Sequence, residues 1–231
     1  MLRIAGLEKS SLIDYPGKVS AIIFTYGCNL RCPYCHNPEL VTTKLCRDNV
    51  IPHKYVFDFL KKRVRKLDAV VITGGEPLIH DTLEKFIRKI RNMGFLIKLD
   101  TNGFNPEKLE DLIKKGLIDY IAMDIKYPES KYIKLTNSKK SAKKIKKSID
   151  IIMNSGLDYE FRTTYVKFIH DMQAVKEIGR MIKGAENYYI QNFRPGKTIN
   201  PKLDSNYSFS EEELKEIKKI IGKYVKNVYI R

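Results

Sequence analysis

Six short runs rich in β-branched and aromatic residues recur along the chain, at Val19 to Phe24, Ala69 to Thr73, Phe95 to Leu99, Tyr120 to Met123, Phe161 to Val166 and Tyr188 to Gln191. Amphipathic helical patterns separate them. This alternation leaves few folds open, because parallel strands must be joined by right-handed crossovers. The fold class is therefore α/β with mostly parallel strands, as an open doubly wound sheet or a full or partial barrel. Helix ends are readable. Asp81 is placed to cap a helix that turns Leu83, Phe86, Ile87 and Ile90 inward and stops at Gly94. Asn105 and Pro106 start another, with Leu109, Leu112 and Ile113 inward and Gly116 as its stop. Ser210 and Glu213 form a capping box for a helix through Leu214, Ile217 and Ile221, ended by Gly222. Asn227 to Ile230 offers a seventh strand. Met1 to Gly17 is read as preceding the first strand, with Asp14 to Lys18 as the turn that feeds it. No composition break divides the chain, and residues 1–231 are read as a single domain.

With 43% hydrophobic and 30% charged residues and no low-complexity tract, the chain is globular rather than disordered. Its uncharged apolar runs are far shorter than the ~20 residues of a membrane span. The first residues also lack the apolar stretch of a secretory signal. The expectation is a soluble, cytoplasmic protein with no membrane partner. The formal charge of +16 suits an acidic partner, a nucleic acid or an anionic surface. Much of it has a plainer origin. Lysine is densest from Lys139 to Lys147, where Ala142, Ile145, Ile149, Ile152 and Met153 recur at helical spacing and leave the lysines on a solvated face. No stacking-aromatic motif or separate basic module supports nucleic acid as a partner.

The unusual residues fall at the ends of the candidate strands. A cysteine cluster follows the first, Thr73 to Pro77 (TGGEP) the second, Asp100 to Gly103 (DTNG) the third, Met123 to Lys126 (MDIK) the fourth, and Asn192 to Gly196 (NFRPG) the sixth. In parallel α/β proteins sites assemble at strand C-termini. Cys28, Cys32 and Cys35 have the spacing C-x3-C-x2-C. A structural zinc site needs four ligands, usually as two separated pairs, so zinc requires His36 or Cys46 to complete the set. Three thiolates alone suit an iron-sulfur cluster with one iron open to a substrate. Gly74 and Gly75 permit close backbone approach, and Glu76 adds a carboxylate able to hold an ammonium group. Asp100 and Asp124 are candidates for holding a cation or hydroxyls, and equally for turn or cap roles. Lys126 and Arg194 are candidate anion clamps, against the usual surface location of such residues.

With the C-x3-C-x-aromatic-C loop after the first strand and GGEP after the second, the chain resembles the radical S-adenosylmethionine superfamily. Within it, SLIDYPGK (Ser11 to Lys18), GCNLRCPYCHNPEL (Gly27 to Leu40), DTNG and MDIK resemble the activating enzymes of glycyl radical enzymes, and among these the anaerobic ribonucleoside-triphosphate reductase activators. The resemblance is strong up to Lys126 and weaker from Tyr127 on. It implies a partial (β/α)6 TIM-type barrel and an oxidoreductase with a 4Fe-4S cluster held by Cys28, Cys32 and Cys35. The open iron would take S-adenosylmethionine. Tyr34 and His36 would line its adenine side, and Gly74, Gly75 and Glu76 would hold its amino group. Asp100, Thr101, Met123 and Asp124 would surround a monovalent cation, and Lys126 and Arg194 would contact the cofactor. Reductive cleavage to a 5'-deoxyadenosyl radical would then remove hydrogen from a glycine of a partner, an anaerobic ribonucleotide reductase. A flavodoxin or ferredoxin would supply the electron. Cys46 has no place in this scheme. Two other readings stand beside it: a radical enzyme of the same fold acting on a small molecule or RNA, and a non-catalytic zinc or nucleic-acid binding module. The latter leaves GGEP, DTNG and MDIK without a role.

Overall fold

The structure, a computed structural model, describes residues 2–41, 50–136 and 139–231; Cys46 lies outside them. The chain groups into two compact units that interleave in sequence. The first holds Met1–Arg31, Asn37–Thr101 and Glu107–Ile121, and the second Cys32–His36, Asn102–Pro106 and Ala122–Arg231.

In the first unit lie β1 (Ile4–Ser11), β2 (Ser20–Thr25), α1 (Pro38–Val41), α2 (His53–Lys61), β3 (Ala69–Gly74), α3 (Leu83–Arg91), β4 (Leu96–Thr101) and nearly all of α4 (Pro106–Lys114). Strands β2 and β3 run parallel, paired from Ser20 opposite Ala69 to Thr25 opposite Gly74, and β4 continues the parallel set beside β3. Both faces of these strands are covered, which is why they read as near-continuous apolar runs. One face packs Ile22, Ala69 and Val71 against Tyr15 and Tyr120. The two tyrosine rings stand 5.5 Å apart, which roots the turn before β2 in the core.

Two readings need correction here. The segment before the first expected strand is itself a strand: β1 pairs antiparallel with β2, with Gly6 opposite Phe24. Its sequence IAGLEKSS shows no alternation because β1 is a half-solvated flank in which Ile4 alone is fully buried. Asp81 is not the cap of α3. The N-cap is Thr82, which makes no side-chain cap bond, since its hydroxyl accepts from the Leu2 N–H at 2.6 Å. Asp81 instead accepts from the Lys108 ammonium at 2.6 Å. The inward face of α3 is as read, with Leu83, Phe86, Ile87 and Ile90 buried.

Strand β5 (Tyr120–Asp124) passes from the first unit into the second, which continues with α5 (Glu129–Thr136), α6 (Lys139–Met153), β6 (Asp158–Tyr165), α7 (Met172–Met181), β7 (Asn187–Asn192), α8 (Glu211–Ile221) and β8 (Asn227–Ile230). Strands β6, β7 and β8 are parallel neighbours. On α6, Ala142, Ile145, Ile149 and Ile152 are buried while Lys143, Lys144, Lys146 and Lys147 face solvent, as the helical spacing requires. The capping box of α8 is formed on both sides by Ser210 and Glu213. Within each unit the paired strands keep chain order and, β1 apart, run parallel, which is the mostly parallel α/β class read from the sequence. Among the described residues no helix is long and apolar enough to cross a membrane.

Candidate functional site

In the first unit the sequence-predicted residues gather at the C-terminal ends of β2, β3 and β4. Gly74 ends β3, and Asp100 and Thr101 end β4. Beyond β2, the Gly27 carbonyl accepts from the Glu76 N–H at 2.8 Å, and the Gly75 N–H donates to the Thr25 carbonyl at 2.9 Å. The GGE turn thus lies directly on the backbone that leads into Cys28. No side chain fits between: a Cβ on Gly75 would stand 2.0 Å from the Gly27 oxygen, and one on Gly74 would stand 2.2 Å from the Thr25 nitrogen. Glu76 is 1% exposed, and its Oε1 accepts from the Thr101 hydroxyl at 2.8 Å and the Leu78 N–H at 3.1 Å. A buried carboxylate is thereby fixed one residue beyond the glycine pair. The Cys28 sulfur accepts from the Leu30 N–H at 3.4 Å, a contact suited to a thiolate. Asp100 has a protein cation beside it, since the buried Lys98 ammonium stands 3.4 Å from its Oδ1.

The second unit holds the rest of the cysteine loop. Cys35 turns back on Cys32, its N–H donating to the Cys32 carbonyl at 3.0 Å. The loop is braced by the segment after β7, whose Ile199 and Asn200 N–H groups donate to the Cys35 and Pro33 carbonyls. Tyr34 turns inward. It is 3% exposed, and its hydroxyl donates to the Lys126 carbonyl at 2.9 Å. His36 is exposed, stacks on Phe193 with ring centres 5.6 Å apart, and donates from Nε2 to the Arg194 carbonyl at 2.8 Å. The Arg194 side chain faces solvent, so the observed link to the cysteine loop is through its backbone. Met123 is fully buried against Gly103: a Cβ on that glycine would stand 2.0 Å from the methionine methyl group.

Around Cys32 the electrostatics are asymmetric. Burial pushes its thiol pKa up, while the Lys126 ammonium and a hydrogen bond from Tyr127 act in the opposite direction. The same Lys126 stands 3.4 Å from Asp124, whose carboxylate also receives both Nε (2.9 Å) and Nη2 (3.2 Å) of Arg162. Burial pushes Asp124 up, but Arg162 and Lys126 outweigh it and hold the carboxyl at about 2. Arg162, Tyr127 and the buried Lys98 are residues that motif spacing did not single out. Their one signal in the sequence is a charged residue in the middle of an apolar strand, at Lys98 and at Arg162.

His170 is fully buried beside Lys126. Nδ1 accepts from the Val166 N–H at 3.0 Å and Nε2 donates to the Lys126 carbonyl at 3.3 Å, which fixes a neutral imidazole. Burial depresses its pKa from 6.5 to about 3. In the unfolded chain the ring protonates near 6.5, so the unfolded state binds more protons between these values. Stability is therefore expected to fall as pH drops from 6.5 toward 3, with a contribution of about 1.4 kcal/mol per pH unit from this ring. Asp124 acts lower: its contribution is complete above 3.8 and is lost as pH falls through about 2. Denaturant midpoints measured across pH 3 to 7 check this, with His170→Gln expected to flatten the slope.

Among the described residues Cys28, Cys32 and Cys35 form no disulfide, and three thiols are a soft donor set of the kind that suits iron-sulfur ligation. Among the described residues no three His, Cys, Asp or Glu side chains stand close enough to hold a metal ion as they are. Cys28, Cys32 and Cys35 are candidate ligands by their spacing and chemistry, not by a preformed shell.

The Radical SAM superfamily matches residues 22–183. A Methanocaldococcus jannaschii protein described as a glycyl-radical enzyme activating enzyme is 37% identical over 233 residues, covering 99% of this chain and 95% of that one. The pyruvate formate-lyase-activating enzyme of Clostridium pasteurianum is 26% identical over 245 residues, covering 99% and 98%. Among solved structures, Streptococcus suis SuiB bound to S-adenosylmethionine superposes with a TM-score of 0.65 at 15% identity, a likeness of fold. The match covers 89% of this chain and 48% of SuiB, so the chain spans about half the length of that protein.

Proposed function

The chain belongs to the Radical SAM superfamily, among the glycyl-radical enzyme activating enzymes, and from that premise we propose that its partner is an anaerobic ribonucleotide reductase. The observation that carries the chemistry is the GGE turn seated on the Gly27 carbonyl, immediately before the first of three cysteines spaced C-x3-C-x2-C. The resemblance of SLIDYPGK, DTNG and MDIK to the reductase activators supports the choice of partner.

In this reading Cys28, Cys32 and Cys35 hold a 4Fe-4S cluster, and Gly74, Gly75 and Glu76 receive the amino group of S-adenosylmethionine. The cluster and S-adenosylmethionine together supply, on reduction, a 5'-deoxyadenosyl radical able to take hydrogen from a glycine. The chain binds and orients. Glu76 is held rigid by Thr101 and Leu78, and the Cys32 to His36 segment by Tyr34, by Phe193 and by the backbone at Ile199 and Asn200. Lys126 sets the charge beside Cys32. His36, exposed in its segment, and Tyr34 line the adenine side, while Lys126 and Arg194 contact the cofactor. The electron donor is an acidic flavodoxin or ferredoxin in the cytoplasm, for which the net charge of +16 and the exposed lysines of α6 are complementary.

The test mixes reduced, cluster-loaded protein with S-adenosylmethionine and an anaerobic ribonucleotide reductase under strict anaerobiosis. A glycyl radical on the reductase, read by paramagnetic resonance, together with 5'-deoxyadenosine release, is the expected result. Cofactor cleavage with no radical on the reductase overturns the partner assignment and moves the substrate to another glycyl radical enzyme or a small molecule. Absence of any cleavage by protein carrying four irons overturns the reading itself.

A further inference from the structure

The two carboxylates that the family resemblance gives to a monovalent cation, Asp100 and Asp124, both have a lysine or arginine of the chain beside them. In the first unit, Lys98 stands two residues before Asp100 on β4, so its side chain shares a strand face with the carboxylate, and the ammonium lies 3.4 Å from Oδ1. That ammonium is itself anchored. It donates to the Asp14 carbonyl at 2.6 Å and lies over the Tyr120 ring at 5.5 Å, and its side chain is 3% exposed.

The second unit repeats the arrangement more completely. Arg162 grips both oxygens of Asp124, Nε on Oδ1 at 2.9 Å and Nη2 on Oδ2 at 3.2 Å, while Lys126 approaches Oδ2 at 3.4 Å. The register that makes this possible is set by backbone: the Ile125 N–H donates to the Arg162 carbonyl at 2.8 Å, and the Thr163 hydroxyl donates to the Ile125 carbonyl at 2.8 Å. Arg162 is steadied in turn by the buried Glu160 at 3.6 Å, which Arg231 also approaches at 3.4 Å. An alkali cation binds through oxygen ligands. Here the oxygens of Asp124 already accept from a planar guanidinium in its bidentate geometry, and any added ion would lie beside two fixed positive charges. The donor set does not fit a monovalent cation.

We infer that Arg162, with Lys126, carries at Asp124 the positive charge that the family resemblance assigns to a monovalent cation, and that this enzyme works without one. Arg162 is thus a positioning residue: it fixes Asp124, and Asp124 fixes the Lys126 that faces Cys32. The inference rests on the activating-enzyme reading for its place in catalysis, whereas the unfolding arm of its test does not.

That test uses the full chain and two readouts, the thermal unfolding midpoint and the rate of S-adenosylmethionine cleavage, in potassium or sodium chloride against tetramethylammonium chloride at equal ionic strength. For the wild-type chain the midpoint is expected to stay within about 1 °C and the rate within about twofold between these salts. Arg162→Ala removes the built-in charge, and the alkali salts are then expected to raise its midpoint saturably by about 3 °C. Arg162→Lys is expected to stay as insensitive as the wild type. A saturable potassium or sodium response in the wild type overturns the inference, and so does an Arg162→Ala chain that folds but gains no response. Should Arg162→Ala not fold, Arg162→Gln carries the same comparison. The unfolding readout needs no cofactor chemistry, so a failure of the activating-enzyme reading shows in the cleavage assay alone.

Discussion

Cys32→Ala is expected to abolish cofactor cleavage, lowering it by about three orders of magnitude or more, and to reduce bound iron from about four per chain to less than one after anaerobic reconstitution. The reason is numerical as well as geometric. A cluster that leaves one iron open for a substrate has three protein thiolates and none to spare. Cys32 is also the most buried of the three at 8% exposure, and it faces both Lys126 and Tyr127. The adjacent ring of His36 is no substitute, being committed to Phe193 and to the Arg194 carbonyl. Iron analysis and the visible absorption of the reconstituted protein check the first part, and 5'-deoxyadenosine release checks the second. The same treatment of Cys46→Ala, which stands outside the ligand spacing, is expected to leave both unchanged. Stoichiometric zinc in colourless wild-type protein would contradict the cluster.

The second large effect belongs to Gly75→Ala. The added methyl would stand 2.0 Å from the Gly27 oxygen, 2.6 Å from the Gly27 carbonyl carbon and 3.3 Å from the Cys28 nitrogen. All three are backbone atoms, so no rotamer change relieves the clash. The loop that carries Cys28 must move away from the GGE turn, breaking the Glu76 N–H bond to the Gly27 carbonyl. Overpacking of this kind is expected to cost about 3 kcal/mol of stability, at the upper end of the usual range for a forced backbone shift. It is also expected to lower iron retention, because Cys28 moves with its backbone. Gly116→Ala serves as the control. That residue has φ of +62° with open space around its Cβ, so it carries conformational strain without a clash, about 1 kcal/mol, and no change in iron is expected. Denaturant midpoints and iron content of the two variants, measured side by side, separate a site defect from ordinary glycine strain.

Much of this was legible in the sequence because local burial leaves periodic traces. The runs now seen as β2 to β7 alternate with helices, the inward face of α3 is correctly given, and the capping box of α8 is written in Ser210 and Glu213. GGEP stood out because close backbone approach requires glycine, and the cysteine loop because three thiols at C-x3-C-x2-C spacing are rare in a chain with only four cysteines. The misreadings have the opposite cause. Strand β1 has one fully buried side chain and is specified by backbone pairing with β2, which no apolar period reports. Asp81 has the right chemistry for a cap, yet the hydroxyl of Thr82 is drawn to the Leu2 N–H and Asp81 to Lys108, partners 80 and 27 residues distant.

The sequence by itself determined the α/β alternation, the solvent face of the lysine-rich helix and the three thiols with their glycine turn. Each depends on residue type and on spacing along the chain. Tertiary structure alone decided which charges meet. Arg162 lies 38 residues from Asp124 and reaches it because the Ile125 N–H bonds to the Arg162 carbonyl, and a one-residue slip in that register would turn the guanidinium to the other face. Tyr34, a spacer between cysteines in the sequence, is an inward anchor because the Lys126 carbonyl lies within reach of its hydroxyl. Periodicity records what a residue buries, whereas a long-range ion pair is fixed by strand register.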